Sequence, residues 1–156
     1  MGENVTRVTA GIGGVILTPL KIIDVEGGDV LHGMKKGDTG YMGFGEAYFS
    51  MIKPGVIKAW KRHHKMNLNL IVPIGTVRFV LYDDRANSLT NGIYQEVILS
   101  QVNYSRLTIP PNIWVGFQCI DQNISMLLNI ADIEHIAEES DKKGLNDIKY
   151  SWELKK

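Results

Sequence analysis

The sequence predicts an all-β chain, a β-sandwich or jelly roll, with one short helix at most near the C-terminus. Three observations lead there. Apolar and β-branched residues gather in roughly nine to eleven short runs, several alternating as half-buried strands do. Gly, Pro, Asn and Asp clusters separate those runs. Helical periodicity is almost absent. Strands of this kind bury their apolar faces by stacking sheet on sheet.

Taken in order, Met1–Ala10 reads as a frayed lead-in. Gly11, Gly13 and Gly14 follow; with no strand before them and no helix after, they do not complete a dinucleotide fingerprint. Val15–Leu17 and Ile22–Val25 read as short strands or a hairpin arm, Gly27-Gly28 as a turn, and Asp29–Lys35 as another short strand. The glycine-rich stretch Gly37–Gly45 lacks the Lys-Ser/Thr of a phosphate loop, so it is either a connector or a lid over a pocket. Glu46–Ile52 has strand composition, and Lys53-Pro54-Gly55 turns the chain.

Gly55–Asp84 reads as strand, strand, tight turn, strand, broken at Pro73 and Gly75. Asp83–Gly92 is a polar loop, and Pro110-Pro111-Asn112 is a turn. Ile93–Leu99, Arg106–Ile109, Trp114–Ile120 and Ser125–Ile130 complete the strands, while Ile133–Lys142 has room for one short acidic helix.

At 156 residues the chain is read as a single domain, 1–156, large enough to bury a core. Formal net charge is zero. No whole-molecule field therefore draws in nucleic acid or a membrane, and an anion must bind at a local patch. No apolar run approaches the ~20 residues of a membrane helix, and no basic start followed by an apolar stretch marks a signal peptide. Cys119 is the sole cysteine, which rules out an intrachain disulfide and suits a reducing compartment. A cytoplasmic location is expected.

The local patch is plain. Lys58, Trp60, Lys61, Arg62, His63, His64 and Lys65 crowd the start of the Gly55–Asp84 run. Such a row beside hydrophobic sheet is costly to bury, so it belongs at a solvated pocket or an anionic ligand. In a flat strand Lys58, Trp60, Arg62 and His64 share one face, with Ala59, Lys61 and His63 on the other.

Three motifs carry a resemblance: FGEAYFSMIKPGVIKAWKRH from Phe44, G-x-V-x-F-V-x-Y-D-D-R from Gly75, and L-x-I-P-P-x-x-W-V-G-F from Leu107. In order and spacing they resemble the dTDP-4-dehydrorhamnose 3,5-epimerase family of cupins, from about Val30 to Asp132. The resemblance implies a dimeric jelly roll, with the N-terminal arm, residues 1–30, contributing to the dimer. It also implies a barrel mouth that binds a nucleotide-linked 4-keto-6-deoxy sugar without metal or other cofactor.

Residue by residue, the family's Gly-Val-Leu-Arg-Gly-Leu-His is replaced by Gly55-Val56-Ile57-Lys58-Ala59-Trp60-Lys61. Lys58 thus stands for the phosphate-side arginine and Lys61 for the base histidine. The family's tyrosine acid falls at Leu127-Leu128-Asn129, where no tyrosine stands, and its early nucleotide contacts fall near Gly27 and His32. The family pattern needs Lys58 and Lys61 both in the site, so it predicts a bulge near Trp60. The histidine pattern of metal-binding cupins is missing. His63 and His64 are adjacent, no glutamate follows within Lys65–Gly75, and Val115 follows Trp114.

Protons beside a ketone are acidic, and epimerisation needs a base, an acid on the other face, and a donor at the carbonyl oxygen. Candidate bases are Lys61, His63 and His64, with Lys61 alternatively a carbonyl or phosphate contact. Lys58, Arg62, Tyr48, His32, Trp114, Asn129 and Asp132 are candidate substrate contacts. Among them Tyr48, like Tyr104, is a possible acid, and Asp132 either orients a base or caps a segment. Two principal readings follow. One is an epimerase of a nucleotide-linked 4-keto sugar, or a related 3,4-ketoisomerase, in deoxysugar or surface-polysaccharide synthesis such as that of lipopolysaccharide. The other is a cupin that keeps the pocket without catalysis.

Overall fold

The computed structural model describes residues 11–154; the lead-in expected over Met1–Ala10 lies outside them. In chain order the strands are β1 (Ile16–Pro19), β2 (Ile22–Ile23), β3 (Val30–Leu31), β4 (Glu46–Ile52), β5 (Ile57–His63), β6 (Leu68–Ile74), β7 (Val77–Tyr82), β8 (Tyr94–Leu99), β9 (Ser105–Ile109), β10 (Trp114–Cys119), β11 (Ser125–Ala131) and β12 (Ser140–Lys142). One sheet runs β1-β9-β6-β11-β4 and the other β12-β5-β10-β7-β8, with β2 and β3 as a separate hairpin. Every pairing is antiparallel. This is the all-β jelly roll the strand pattern predicts.

The two sheets share one apolar core, because alternate residues of each strand face inward. Leu68, Leu70 and Val72 of β6 and Leu107 and Ile109 of β9 meet Val77, Phe79 and Leu81 of β7 and Val115 of β10. The second sheet is buried on its other face too. There Val80, Trp60 and Trp114 pack with Ile148 and Trp152 of the C-terminal segment. β7 is therefore buried on both faces, which explains its nearly continuous apolar sequence.

Two expectations change. The Ile133–Lys142 helix is instead a single 3-10 turn, Ala137–Glu139, followed by β12, which pairs with β5 (Ser140 opposite His63, Lys142 opposite Lys61). β5 would otherwise be an open edge, and pairing its backbone groups outweighs the weak helical signal of a polar segment.

The Gly37–Gly45 stretch is not a lid. None of its residues lines the cavity described below. Arg106, fully buried, donates to the carbonyls of Gly33 and Thr39 and fastens the stretch to the outer face of the first sheet. Gly40 (φ 90°) sits so close that a Cβ there would lie 2.6 Å from Thr108 Oγ1.

Candidate active site

A cavity of about 470 Å³ opens between the sheets. Leu68, Leu70, Leu127, Val115 and Phe117 form its apolar floor, and Lys58, Lys61, His63 and Lys142 line one wall, with Tyr48, Ser50 and Asn129 on the other. No Asp or Glu is among the lining residues. A neutral protein thus carries a local cationic pocket, where low-dielectric walls strengthen the field felt by an anion.

The bulge near Trp60 sets this wall. Val115 pairs with Lys61 and Phe117 with Lys58, so β5 carries one residue more than β10 between those two pairs. Lys58 and Lys61, three apart, thereby line the same cavity. Strand alternation then brings in His63.

His63 is buried and its Nδ1 lies 2.7 Å from Glu139 Oε2. The other oxygen of Glu139 accepts the backbone N–H groups of Lys65 (2.7 Å) and Met66 (2.9 Å). Burial raises the Glu139 pKa, but these N–H donors and His63 outweigh it and bring it down to about 2. The ionised carboxylate only accepts, so His63 Nδ1 must carry the proton it shares. Burial lowers the His63 pKa below 6.5, with the Glu139 bond opposing. The imidazole is then neutral at pH 7, with its lone pair on Nε2, the nitrogen a general base uses. Lys61 is also lowered, first by burial and then by the Lys142 charge across the β5–β12 pair, while Glu139 opposes.

Of the other predicted residues, the structure brings Tyr48, Lys58 and Asn129 to the cavity and keeps five away. Arg62 points to the opposite face of the sheet, 3.2 Å from Asp84 and 2.7 Å from Asp141, its guanidinium 4.6 Å over the Trp114 ring. Trp114 is in that outer layer, 1% exposed, with Nε1 donating to Asp84. His64 is exposed and pairs with Asp141. His32 lies away from the cavity, and its carbonyl accepts the Tyr104 hydroxyl. Asp132 binds the backbone and side-chain amides of Asn67, holding the turn before β6 rather than orienting a base.

Glu139, bonded to His63, and Lys142, at the cavity wall, are the site residues that sequence reasoning missed. Their only signal is a charged segment, and what places them is the pairing of β12 with β5. Among the described residues no group of three or more His, Cys, Asp or Glu side chains gathers as a metal ion would need.

No family model matches the chain. A solved dTDP sugar isomerase from Desulfovibrio desulfuricans G20 is 38% identical, superposes with a TM-score of 0.88, and is covered over 92% of its length by 90% of this chain. This chain belongs to the dTDP-4-dehydrorhamnose 3,5-epimerase-like family. The probable low-salt glycan biosynthesis epimerase Agl13 of Haloferax volcanii is 31% identical over 100 residues, 64% of this chain and 64% of that protein. The chain thus spans just under two thirds of that relative's length. The dTDP-4-dehydrorhamnose 3,5-epimerase of Sulfolobus tokodaii, at 22% identity over 93% of this chain and 85% of its own, shares the fold with a TM-score of 0.79. No helix of the described residues is long and apolar enough to cross a membrane.

Proposed function

We propose that this protein is an epimerase of a nucleotide-linked 4-keto-6-deoxy sugar, serving glycan or deoxysugar synthesis in the cytoplasm as one cupin domain. The observation that carries this reading is the His63–Glu139 pair at the wall of a lysine-lined cavity. In the reaction, His63 Nε2 removes a proton from a carbon beside the ketone. Lys61 stabilises the enolate oxygen that results, and Lys58 and Lys142 hold the nucleotide phosphates. The family's histidine is lost at Lys61, but strand alternation returns an imidazole to the same wall two residues on.

The test is a panel of nucleotide-linked 4-keto-6-deoxy hexoses in D2O, followed by proton NMR. Loss of the proton signals flanking the ketone, with inversion at one or both carbons, is the expected result. No exchange with any member of the panel would reduce the protein to a binding module. Ketone migration is the second reading, since the Desulfovibrio relative is a dTDP sugar isomerase, a name that covers it as well as epimerisation. It starts from the same proton abstraction, and the same spectra would show the carbonyl moving to C3.

We propose further that the chain works as a homodimer through β4. That strand is the edge of its sheet, and its Phe49 (63% exposed) and Met51 (53% exposed) face outward. Met42 and Phe44 add apolar surface just before it. An open apolar edge of this kind is normally covered. Light scattering is expected to give twice the chain mass, falling to one chain in Phe49→Lys; a wild-type mass of a single chain contradicts the proposal.

A further inference from the structure

The family's tyrosine acid is absent from β11, yet a phenol stands in the cavity. Asn129 of β11 is directly opposite Tyr48 of β4, and both line the pocket. Asn129 Oδ1 accepts the backbone N–H of Asn69 at 3.3 Å, which fixes how the amide is turned. Its Nδ2 then donates to the Tyr48 hydroxyl oxygen at 3.0 Å. The phenol oxygen is therefore occupied as an acceptor, while its own proton is left for another partner. That proton is on β4, in the sheet opposite β5 and His63.

We infer that Tyr48 is the general acid of this site, moved one strand over from its place in the family, and that Asn129 is its positioning residue. This rests on the epimerase reading above. His63 Nε2 takes the proton as the C–H bond breaks and the electrons move to the ketone oxygen. The enolate collapses with its carbon taking a proton from Tyr48 on the opposite face, so one C–H bond is lost and one is gained. Tyr48 is left as a phenolate, which the Asn129 N–H stabilises. Being 40% exposed, it recovers a proton from water, and the His63 imidazolium releases one to solvent. The two groups reset with no other reactant.

The test compares wild type, Tyr48→Phe and Asn129→Asp in D2O with dTDP-4-keto-6-deoxyglucose, reading proton washout and inversion separately. Phenylalanine keeps the ring and removes only the acid. Inversion is expected to fall at least ~100-fold, while washout with retention, which needs His63 alone, persists. Asn129→Asp replaces the donor by an acceptor that captures the phenol proton, and the same split is expected. Inversion by Tyr48→Phe at the wild-type rate overturns the inference, as does equal loss of washout and inversion in a variant that melts like wild type. If wild type itself neither exchanges nor inverts, the epimerase reading falls and this one with it.

Discussion

Replacing Glu139 by glutamine is expected to lower kcat by ~10³–10⁴-fold with little change in KM, the scale seen when a catalytic histidine is held in the wrong tautomer. The direction follows from the hydrogen bonds. The N–H groups of Lys65 and Met66 both require an acceptor at the Oε1 position. The glutamine oxygen must take that place, which turns its NH2 toward His63 Nδ1. An amide donor there stabilises the tautomer with hydrogen on Nε2, and the base loses its lone pair.

The pH dependence changes in parallel. The wild-type His63 pKa lies below 6.5 because the ring is buried, with the Glu139 bond opposing, so the acid limb of kcat/KM should have its midpoint below that of an ordinary histidine. Glu139 titrates at about 2 in the folded protein against 4.5 unfolded. Its contribution to stability is therefore complete above pH 4.5 and is lost as pH falls toward 2. The glutamine variant should lack that part of the acid sensitivity. A steady-state pH series with an acid-melting series checks both statements.

Trp60→Ala is expected to cost ~3–5 kcal/mol, the range for truncating a large buried aromatic side chain. For a chain of this size that lowers Tm by roughly 6–20 °C. Trp60 is 2% exposed and packs at 5.4 Å from Trp152, and its Nε1 donates to the Leu145 carbonyl at 3.1 Å. Its backbone N–H and C=O exchange hydrogen bonds with Lys143, just past β12. The side chain therefore clamps the C-terminal segment over the second sheet, next to the strand that brings Glu139 and Lys142 to the cavity. Activity should fall with the folded fraction. Trp60→Phe, which keeps most of the packing and loses one hydrogen bond, should cost ~1–2 kcal/mol. Thermal melts of the two variants, with activity assayed well below each Tm, check this.

The strands were legible because alternation and turn residues are local signals. Gly55–Asp84 does fold as β5, β6, a turn at Gly75 and β7, although β6 runs through Pro73 to Ile74 instead of breaking at the proline. The bulge near Trp60 was legible only through the need to place Lys58 and Lys61 on one wall. Arg62 and His64 were drawn into the expected site because they neighbour it in sequence, and Trp114 was drawn in with them, yet alternation turns all three to the opposite face, where Asp84 and Asp141 bind their polar groups. Glu139 could not be read, since it lies 76 residues from His63 and its segment carries no strand pattern. The contact between Asn129 and Tyr48 likewise depends on cross-strand register, which a single sequence does not display.

We propose that an imidazole on the lysine-lined wall, His63, abstracts the proton beside a ketone. The most direct measurement is the rate of deuterium uptake into dTDP-4-keto-6-deoxyglucose by wild type and by His63→Gln, alongside dTDP affinity by calorimetry. Uptake is expected to fall by ~10²–10⁴-fold in the variant, while dTDP binds both proteins about equally. Uptake at the wild-type rate without His63 would contradict the proposal and move the base to Lys61.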